Sequence, residues 1–445
     1  MTSLERIHAI RAAMPAEGLF AEKEWLVSPE AFPLEPKFVE ALEKLGYRLN
    51  LFQRACNLLY QLSISGKQPG WIADYLDRGK PPELIEFARR KKFRDELPRV
   101  IRPDLVLTEN GFTIAELDTV PGGIGLTAWL NQTYASLGED VLGGARGMID
   151  GFRDILPGGA DILISEEAAT YRPEMQWLCD ELGENYRVRD AVNPNPQSAI
   201  RNPQSIYRFF ELFDLPNVVF APGLMESAFA DGLLITPPLK PYLEEKMWFA
   251  LFWLRPLRDF WRRELGERHF LKLQEAIPYT WIVDPAPLPQ HAVIPGLEVQ
   301  AWTELGHFSQ KQRELILKIS GFSELAWGSR GVALAADMPQ HEWQAALAHA
   351  LEQFGEHPYI LQRFHKGRLV RHSFWDAEKN EFATLQGRVR LCPYFFVLDG
   401  KAELRGALAT ICPADKKLLH GMRDAILVPA AVSTDLSSPA KSRDP

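Results

Sequence analysis

The sequence predicts an α+β fold, and three observations predict it. Residues from about 35 to 100 repeat apolar side chains at helical spacing. Two short apolar runs then meet at Asn-Gly, a dipeptide that reaches positive φ easily and so favours a tight hairpin. Beyond them, β-type runs alternate with helical segments in two blocks, one on each side of a long aromatic-rich stretch.

In chain order, "EPKFVEALEKLGYRLNLFQRACNLLYQL" carries the helical period, and "PELIEFARRKKFRDEL" starts behind a double proline. "DLVLTE" and "FTIAELD" form the hairpin, and "LTAWLNQTYASLG" is a helix whose N-terminus faces the turn before it. "ADILISEE", "RPEMQWLCDELGE" and "YRVRD" read as a β-α-β unit. "AVNPNPQSAIRNPQ" reads as a loop, after which "SIYRFFELFDL" and "GLLITPP" resume regular structure. "YLEEKMWFALFWLRPLRDFWRREL" is expected to be one long helix. The second block comprises "ELILKIS", a glycine-containing loop, "GVALAAD", the helix "QHEWQAALAHALEQF" and the strand "YILQRF". A hairpin turning at Asp399-Gly400 closes it. The tail "STDLSSPAKSRDP" has too little apolar content to pack and is expected to be disordered.

The composition is globular, with 46% hydrophobic residues over 445 positions, enough for two or three domains. A net charge of −8 gives no footprint for nucleic acid or an anionic membrane, so neither is expected as a partner. Cys56, Cys179, Cys392 and Cys412 are too far apart for a zinc or CxxC motif and read as reduced, mostly buried thiols. With no signal-peptide run and no membrane span, the expected location is the cytoplasm.

Candidate chemistry begins at "AELDTVPGGIG". Glu116 and Asp118 are i and i+2 on a strand, so both carboxylates point to one side. Like charges that close need a cation or a proton, and such oxygens suit Mg²⁺. By themselves the two acids are better described as a solvated edge strand facing water. The turn shifts the balance, because its bare amides at Gly122 and Gly123, with a helix N-terminus behind them, can approach an anion. In "LILKISGFSELAWGSRGVAL", Lys318 ends a strand and a loop with Gly321, Gly328 and Gly331 follows. This is no Walker loop, but a strand–loop–strand hairpin can fold over phosphates with Lys318 reaching them. In "YILQRF", the backbone around Gln362, Arg363 and Phe364 can border an adenine edge while Ile360 and Leu361 face the core. A strand-end lysine in water and an ordinary core strand are the plain alternatives for these two.

In this order the segments resemble the circularly permuted ATP-grasp ligases, especially eukaryotic-type glutathione synthetase and, more distantly, glutathionylspermidine synthetase. The resemblance runs from about Arg102 to the end of the ordered chain. Arg102 and Asp104 match the family's Arg-x-Asp segment, and "ELDTVPGGIGL" matches its Glu-x-Asn-Thr strand and small-residue turn. Asp118 stands where asparagine is usual, and Pro121 and Gly123 replace serines. Gln176 falls on the matching helix, with Arg172 in place of an asparagine. Arg208 matches the strand-plus-arginine segment, and Lys246 and Lys318 match the two nucleotide lysines. Phe322 occupies the place of the family's third metal-binding glutamate, so Glu324 is the nearest substitute. Lys416 and Lys417 lie where the family has a late nucleotide lysine.

The resemblance implies two α+β subdomains clasping a nucleotide. Residues 1–100 would form an N-terminal helical region, 101–235 a substrate-side domain, 236–430 a nucleotide-binding region and 431–445 a disordered tail. It implies a Mg²⁺- and ATP-dependent carboxylate–amine ligase working through an acyl-phosphate. Glu116, Asp118 and Glu324 would hold metal. Lys246, Lys318, Gly328, Gly331, Gln362, Arg363, Phe364 and Lys416 would meet ATP. Arg102 and Arg208 would grip a carboxylate or the acyl-phosphate, and Asp104, Gly122, Gly123, Arg172 and Gln176 would border the substrate. Arg388 and Arg390 share a strand face that could meet phosphate or water. The partners would be a small acid and an amine (an amino acid, peptide or polyamine), with the oligomeric state left open. A phosphotransferase that stops before amide formation and a non-catalytic ATP-grasp scaffold remain as rivals.

Overall fold

Three β-sheets organise the described residues. The computed structural model describes residues 1–15, 24–190, 205–218, 221–230, 232–326, 330–419 and 423–433. The loop expected at 191–204, Gly328 and the tail from 434 lie outside the described residues.

The central sheet joins both ends of the sequence. Its order is β1 (Phe32–Leu34), β15 (Ile426–Val432), β14 (Lys401–Pro413), β13 (Glu381–Leu398), β2 (Val100–Thr108) and β3 (Gly111–Asp118), with β12 (Leu369–Asp376) also paired to β13. The second sheet is antiparallel, ordered β10 (Val332–Leu334), β9 (Leu315–Ile319), β11 (Tyr359–Arg363), β8 (Thr280–Ile282). The third is parallel, ordered β5 (Tyr186–Asp190), β4 (Ala160–Ile164), β6 (Ser205–Phe209), β7 (Leu234–Thr236).

Around them run α1 (Ser3–Ala13), α2 (Pro36–Ile64), α3 (Trp71–Leu76), α4 (Pro82–Ala88), α5 (Ile124–Ser136) and α6 (Gly147–Ile155). The series continues with α7 (Arg172–Leu182), α8 (Ala221–Ala230), α9 (Met247–Trp253), α10 (Arg258–Leu265), α11 (Glu267–Ala276) and α12 (Gln340–Glu352). No helix among the described residues is long and apolar enough to cross a membrane.

The central sheet is covered on both faces, and consecutive residues of β13 show how. A Cβ on Gly46 of α2 would meet the Phe395 ring at 2.4 Å, and one on Gly151 of α6 would meet the Phe396 ring at 2.8 Å. Neighbouring strand residues point to opposite faces, so α2 and α6 lie on opposite sides of the sheet. Both phenylalanines are fully buried. The β13–β14 hairpin turns at Asp399-Gly400 as expected, with φ of +47° and +76°. Such positive φ at both central residues matches the twist of the flanking strands.

Three expectations need correction. The aromatic-rich stretch is not one helix but a 3₁₀ turn at Pro241–Glu244, then α9, a second turn at Arg255–Leu257 and α10. Pro256 has no N–H to donate and clashes with the preceding turn, which ends α9. The N-terminal region is not purely helical, because β1 pairs in parallel with β15 from the far end of the chain. Ala431 and Val432, assigned to the tail, belong to β15. All four cysteines are buried and unbridged.

Candidate active site

The site grows out of the β2–β3 hairpin. Arg102 stands opposite Asp118, and Asp104 opposite Glu116, in the antiparallel register. The register shifts immediately afterwards, with Leu105 facing Ile114, so Ala115 is an extra residue on β3. A bulge of this kind leaves backbone groups unpaired. The Ala115 carbonyl accepts a hydrogen bond from the Lys318 ammonium at 2.8 Å.

Two acids directly opposed on a sheet destabilise it unless cations intervene. Arg102 pairs with Asp104 at 3.0 Å and with Asp118 at 2.8 Å. Arg390 approaches the other Asp104 oxygen at 3.2 Å, and the Cys392 thiol donates to Asp104 at 3.4 Å. Lys246 stands 2.9 Å from Glu116 and donates to the Ala326 carbonyl at 3.0 Å. Lys318 also donates to Gln362 Oε1 at 3.0 Å, and Gln362 is held from behind by Thr280. Four cations thus face three carboxylates where the central and second sheets meet.

These contacts set the protonation states. Burial pushes the Asp104 carboxyl up, but Arg102 and Arg390 outweigh it and hold the group below its ordinary value. Burial acts on Glu116 in the same way, and Lys246 and Lys318 outweigh it. For Asp118, burial wins over Arg102, with Glu116 and Asp104 adding to the rise, so its carboxyl titrates above the ordinary value. Burial lowers the Lys318 ammonium to about 8, against the pull of Glu116.

A cavity of about 120 Å³ opens among these groups. It is lined by Asp104, Glu116, Lys246, Lys318, Gln362 and Arg390, with apolar walls from Val106, Ile316, Val332 and Leu419. Arg363 and Phe364 also border it. Lys417 lines the cavity, whereas the expected Lys416 is exposed to one side. A larger cleft of about 1580 Å³ beneath the β13–β14 turn mixes Arg54, Arg94 and Arg99 with Asp95, Glu96 and Asp399. The smaller cavity is the functional candidate, because convergent polar groups with shifted pKa values mark a site better than size does.

Other expected residues are placed differently. Arg208 is 1% exposed; it donates to the carbonyls of Phe210, Pro237 and Pro238 and pairs with Glu244. Its donors are used inside the protein. Asp118 lies outside the cavity lining, held by Arg102 and the Val120 amide. Glu324 is exposed and borders a different pocket, with Phe322, so the metal set expected from Glu116, Asp118 and Glu324 is not brought together. No group of three His, Cys, Asp or Glu side chains suited to a metal occurs among the described residues. Gly331 donates its amide to Leu325 and has no room for a side chain. Gln176 is exposed and donates to Asp180, and Arg172 is partly buried at the start of α7.

The bare turn has a different role from the one expected. The Gly123 amide donates to Glu174 Oε1 at 2.7 Å and the Leu126 amide to Oε2 at 3.3 Å, so a carboxylate of the protein occupies the α5 N-terminus. A Cβ on Gly122 would meet the Tyr171 ring at 2.3 Å, and Gly123 has φ +84°. The glycines let α7 dock. The Gly122 carbonyl then accepts from Arg102 at 3.0 Å and from the Tyr394 hydroxyl at 2.7 Å, tying the turn to the cation network. Sequence reasoning missed Glu174, Cys392 and Tyr394. The i, i+2, i+4 spacing of Arg390, Cys392 and Tyr394 on one strand face was the available signal for the last two.

No protein-family model and no curated protein matches the chain. A glutathione synthetase-like effector from Globodera pallida, solved without ligand, superposes with a TM-score of 0.53 at 10% identity, covering 97% of this chain and 96% of that one. A structure described as a putative gamma-glutamylcysteine synthetase from Methylobacillus flagellatus superposes at a TM-score of 0.41 with 13% identity, over 87% and 89% of the two chains. The first of these shows a shared overall fold with a glutathione synthetase-like protein across nearly the whole chain.

Proposed function

We propose that the chain is a Mg²⁺- and ATP-dependent ligase that joins a carboxylate to an amine. One observation carries this reading: Lys246 and Lys318, on separate elements, border a single cavity beside Glu116. The glutathione synthetase-like fold supports it. When bound, Mg²⁺-ATP would supply the phosphoryl group that activates a carboxylate toward attack by an amine.

The residues fit that cosubstrate. Two ammonium groups offset phosphate charge, and Val106, Ile316 and Leu419 offer an apolar wall to a base. Glu116 would give Mg²⁺ a protein carboxylate, and this ion commonly takes only one or two of these beside substrate phosphates. Arg390, which lines the cavity, suits a hold on a carboxylate at the Asp104 end, whereas the Arg102 donors are taken by Asp104, Asp118 and the Gly122 carbonyl. Positioning and charge stabilisation then account for most of the catalysis. At about 120 Å³ the cavity is smaller than the roughly 300–1,000 Å³ of most small-molecule sites, so the walls must part to admit a nucleotide.

The test is a thermal scan with Mg²⁺-ATP, then ADP release screened over amino acids, short peptides and polyamines. Ligand at a hundredfold above Kd stabilises by about 2.7 kcal/mol. No shift at millimolar Mg²⁺-ATP counts against the reading. Phosphorylated acid without amide would make the protein a phosphotransferase, and binding without turnover a scaffold.

A further inference from the structure

On β9, Lys318 lines the cavity just described, while its neighbour Ile319 borders a separate pocket of about 490 Å³. This second pocket lies between the 3₁₀ segment Leu212–Asn217, the loop after β9 and the end of α12. Its charged and titratable walls are Glu167, Asp214, Glu324, His349, His357 and Tyr359, with no lysine or arginine among the described lining residues. The pocket falls within the roughly 300–1,000 Å³ range of small-molecule sites.

The three carboxylates are not equally satisfied. Glu167 is paired with Arg330 at 2.6 Å. Glu324 is exposed and has no ion pair among the described residues. Asp214 is 4% exposed; its Oδ1 accepts from Asn217 at 2.7 Å, whereas its buried Oδ2 has no hydrogen-bond partner. A buried carboxylate oxygen without a donor is costly, and native proteins seldom leave one so. Its neighbours in the pocket offer no fixed positive charge.

We infer that this pocket binds a primary ammonium group carried on an aliphatic chain, with Asp214 as its main anchor and Glu324 as a second, outer contact. An ammonium has three donors and no acceptor, which matches a wall of carboxylate oxygens. A bare divalent ion fits less well, since no three metal-type ligands converge among the described residues. The volume leaves room for the chain that bears the charge. The inference does not depend on the nucleotide reading, because the two cavities have separate linings.

The test is calorimetric titration of the full chain with spermidine, with N-acetyl-lysine amide and with Mg²⁺ alone, for wild type, Asp214→Asn and Glu324→Gln. Wild type should bind at least one amine, with affinity falling as salt rises. Asp214→Asn should weaken that binding at least tenfold and Glu324→Gln a few-fold, with Mg²⁺-ATP binding unchanged in both. Spermidine alone binding would assign a free polyamine-type ligand, and N-acetyl-lysine amide alone a lysyl side chain. Should Asp214→Asn fail to fold, the surface change Glu324→Gln still decides. Absence of amine binding, Mg²⁺ binding in its place, or amine affinity untouched by Glu324→Gln and by any folded Asp214→Asn would overturn the proposal.

Discussion

The Lys246 ammonium lies 2.9 Å from a carboxylate oxygen of Glu116, so the candidate phosphate contact and the candidate metal contact neutralise each other in the ligand-free protein. Glu116 and then the partly buried Glu211 hold the Lys246 pKa above its ordinary value despite burial. A ligand carrying both phosphate and Mg²⁺ would take the two apart and pair each with its own partner.

That relationship gives the first prediction. Glu116→Gln should remove a Mg²⁺ contact while leaving Lys246 free for phosphate, so affinity for ATP without metal should hold or rise. Lys246→Ala should weaken ATP binding with or without metal, by roughly 1.5–3 kcal/mol for a lost charge-assisted contact. Calorimetry with and without Mg²⁺ separates the two. The Glu116 side chain is 38% exposed, so loss of the pair itself should cost only about 1 kcal/mol of stability. Identical losses in both variants, under both conditions, would rule out this division of labour.

How far the sequence reveals this arrangement depends on how local the signal is. The β13–β14 hairpin was legible because Asp399-Gly400 carries its own turn chemistry, whereas the β2–β3 turn falls on Glu109-Asn110, one residue before the expected pair, with Gly111 opening β3. Lys246 and Lys318 were legible as a pair only through their order along the chain. The pairing of three-residue β1 with β15 was not, because so short a strand has no period and its partner lies near the far end of the chain. Nor was Glu174, since a glutamate in the first turn of an amphipathic helix looks the same whether it meets water or the α5 amides. Arg208 shows the reverse error. Its position suggested ligand chemistry, yet its donors serve the chain's own carbonyls and Glu244.

Asp118→Asn should cost stability more than it alters the Mg²⁺ requirement. Asparagine can keep the Val120 amide contact through its carbonyl, but its NH₂ would face the Arg102 guanidinium, donor against donor. Losing a charged hydrogen bond here should lower unfolding free energy by about 1–3 kcal/mol. Chemical denaturation checks that, and ADP release against Mg²⁺ concentration checks the rest. A large rise in Mg²⁺ requirement with unchanged stability would return Asp118 to the metal site.

Gly125→Ala should be among the more damaging small changes in the chain. The added Cβ would lie 2.1 Å from the Glu174 carbonyl oxygen, a backbone atom that cannot step aside without moving α7. Overpacking of this kind costs about 1–3 kcal/mol or more. Gly70→Ala is the control, since that position has φ −60° and nothing within 4 Å. Equal melting temperatures for the two variants would mean that α7 is not docked on this turn.

His372 should make the protein acid-sensitive near neutrality. Its ring sits 3.0 Å from the Ser28 hydroxyl in a buried position, and burial depresses its pKa below 6.5. The unfolded chain then binds the proton more tightly, so this stability is present above pH 6.5 and is lost as pH falls toward the folded-state value. His372→Leu should flatten that part of the stability profile below about pH 6.5, read by denaturant titration at each pH. A wild-type profile flat over the same interval would show that the ring protonates in place.

Lys318 should show opposite effects on stability and on binding. Its ammonium is held at about 8 by burial, below the ordinary 10.5. Between those values the unfolded chain carries the proton and the folded chain does not, so stability of the ligand-free protein should rise with pH across that window. Nucleotide affinity should move the other way, falling as pH passes 8, because neutral Lys318 offers phosphate no charge. Lys318→Met keeps the length, removes the buried charge and spares the desolvation that charge incurs. It should melt at a higher temperature than wild type below pH 8 and bind Mg²⁺-ATP at least tenfold more weakly, with no step near pH 8. Lys318→Arg stays charged throughout and should bind without that step as well. Calorimetric affinities from pH 7 to 9 for the three proteins, beside their melting temperatures, decide the matter. A Lys318→Met variant that binds nucleotide like wild type would take Lys318 out of the site and leave the cavity without its central cation.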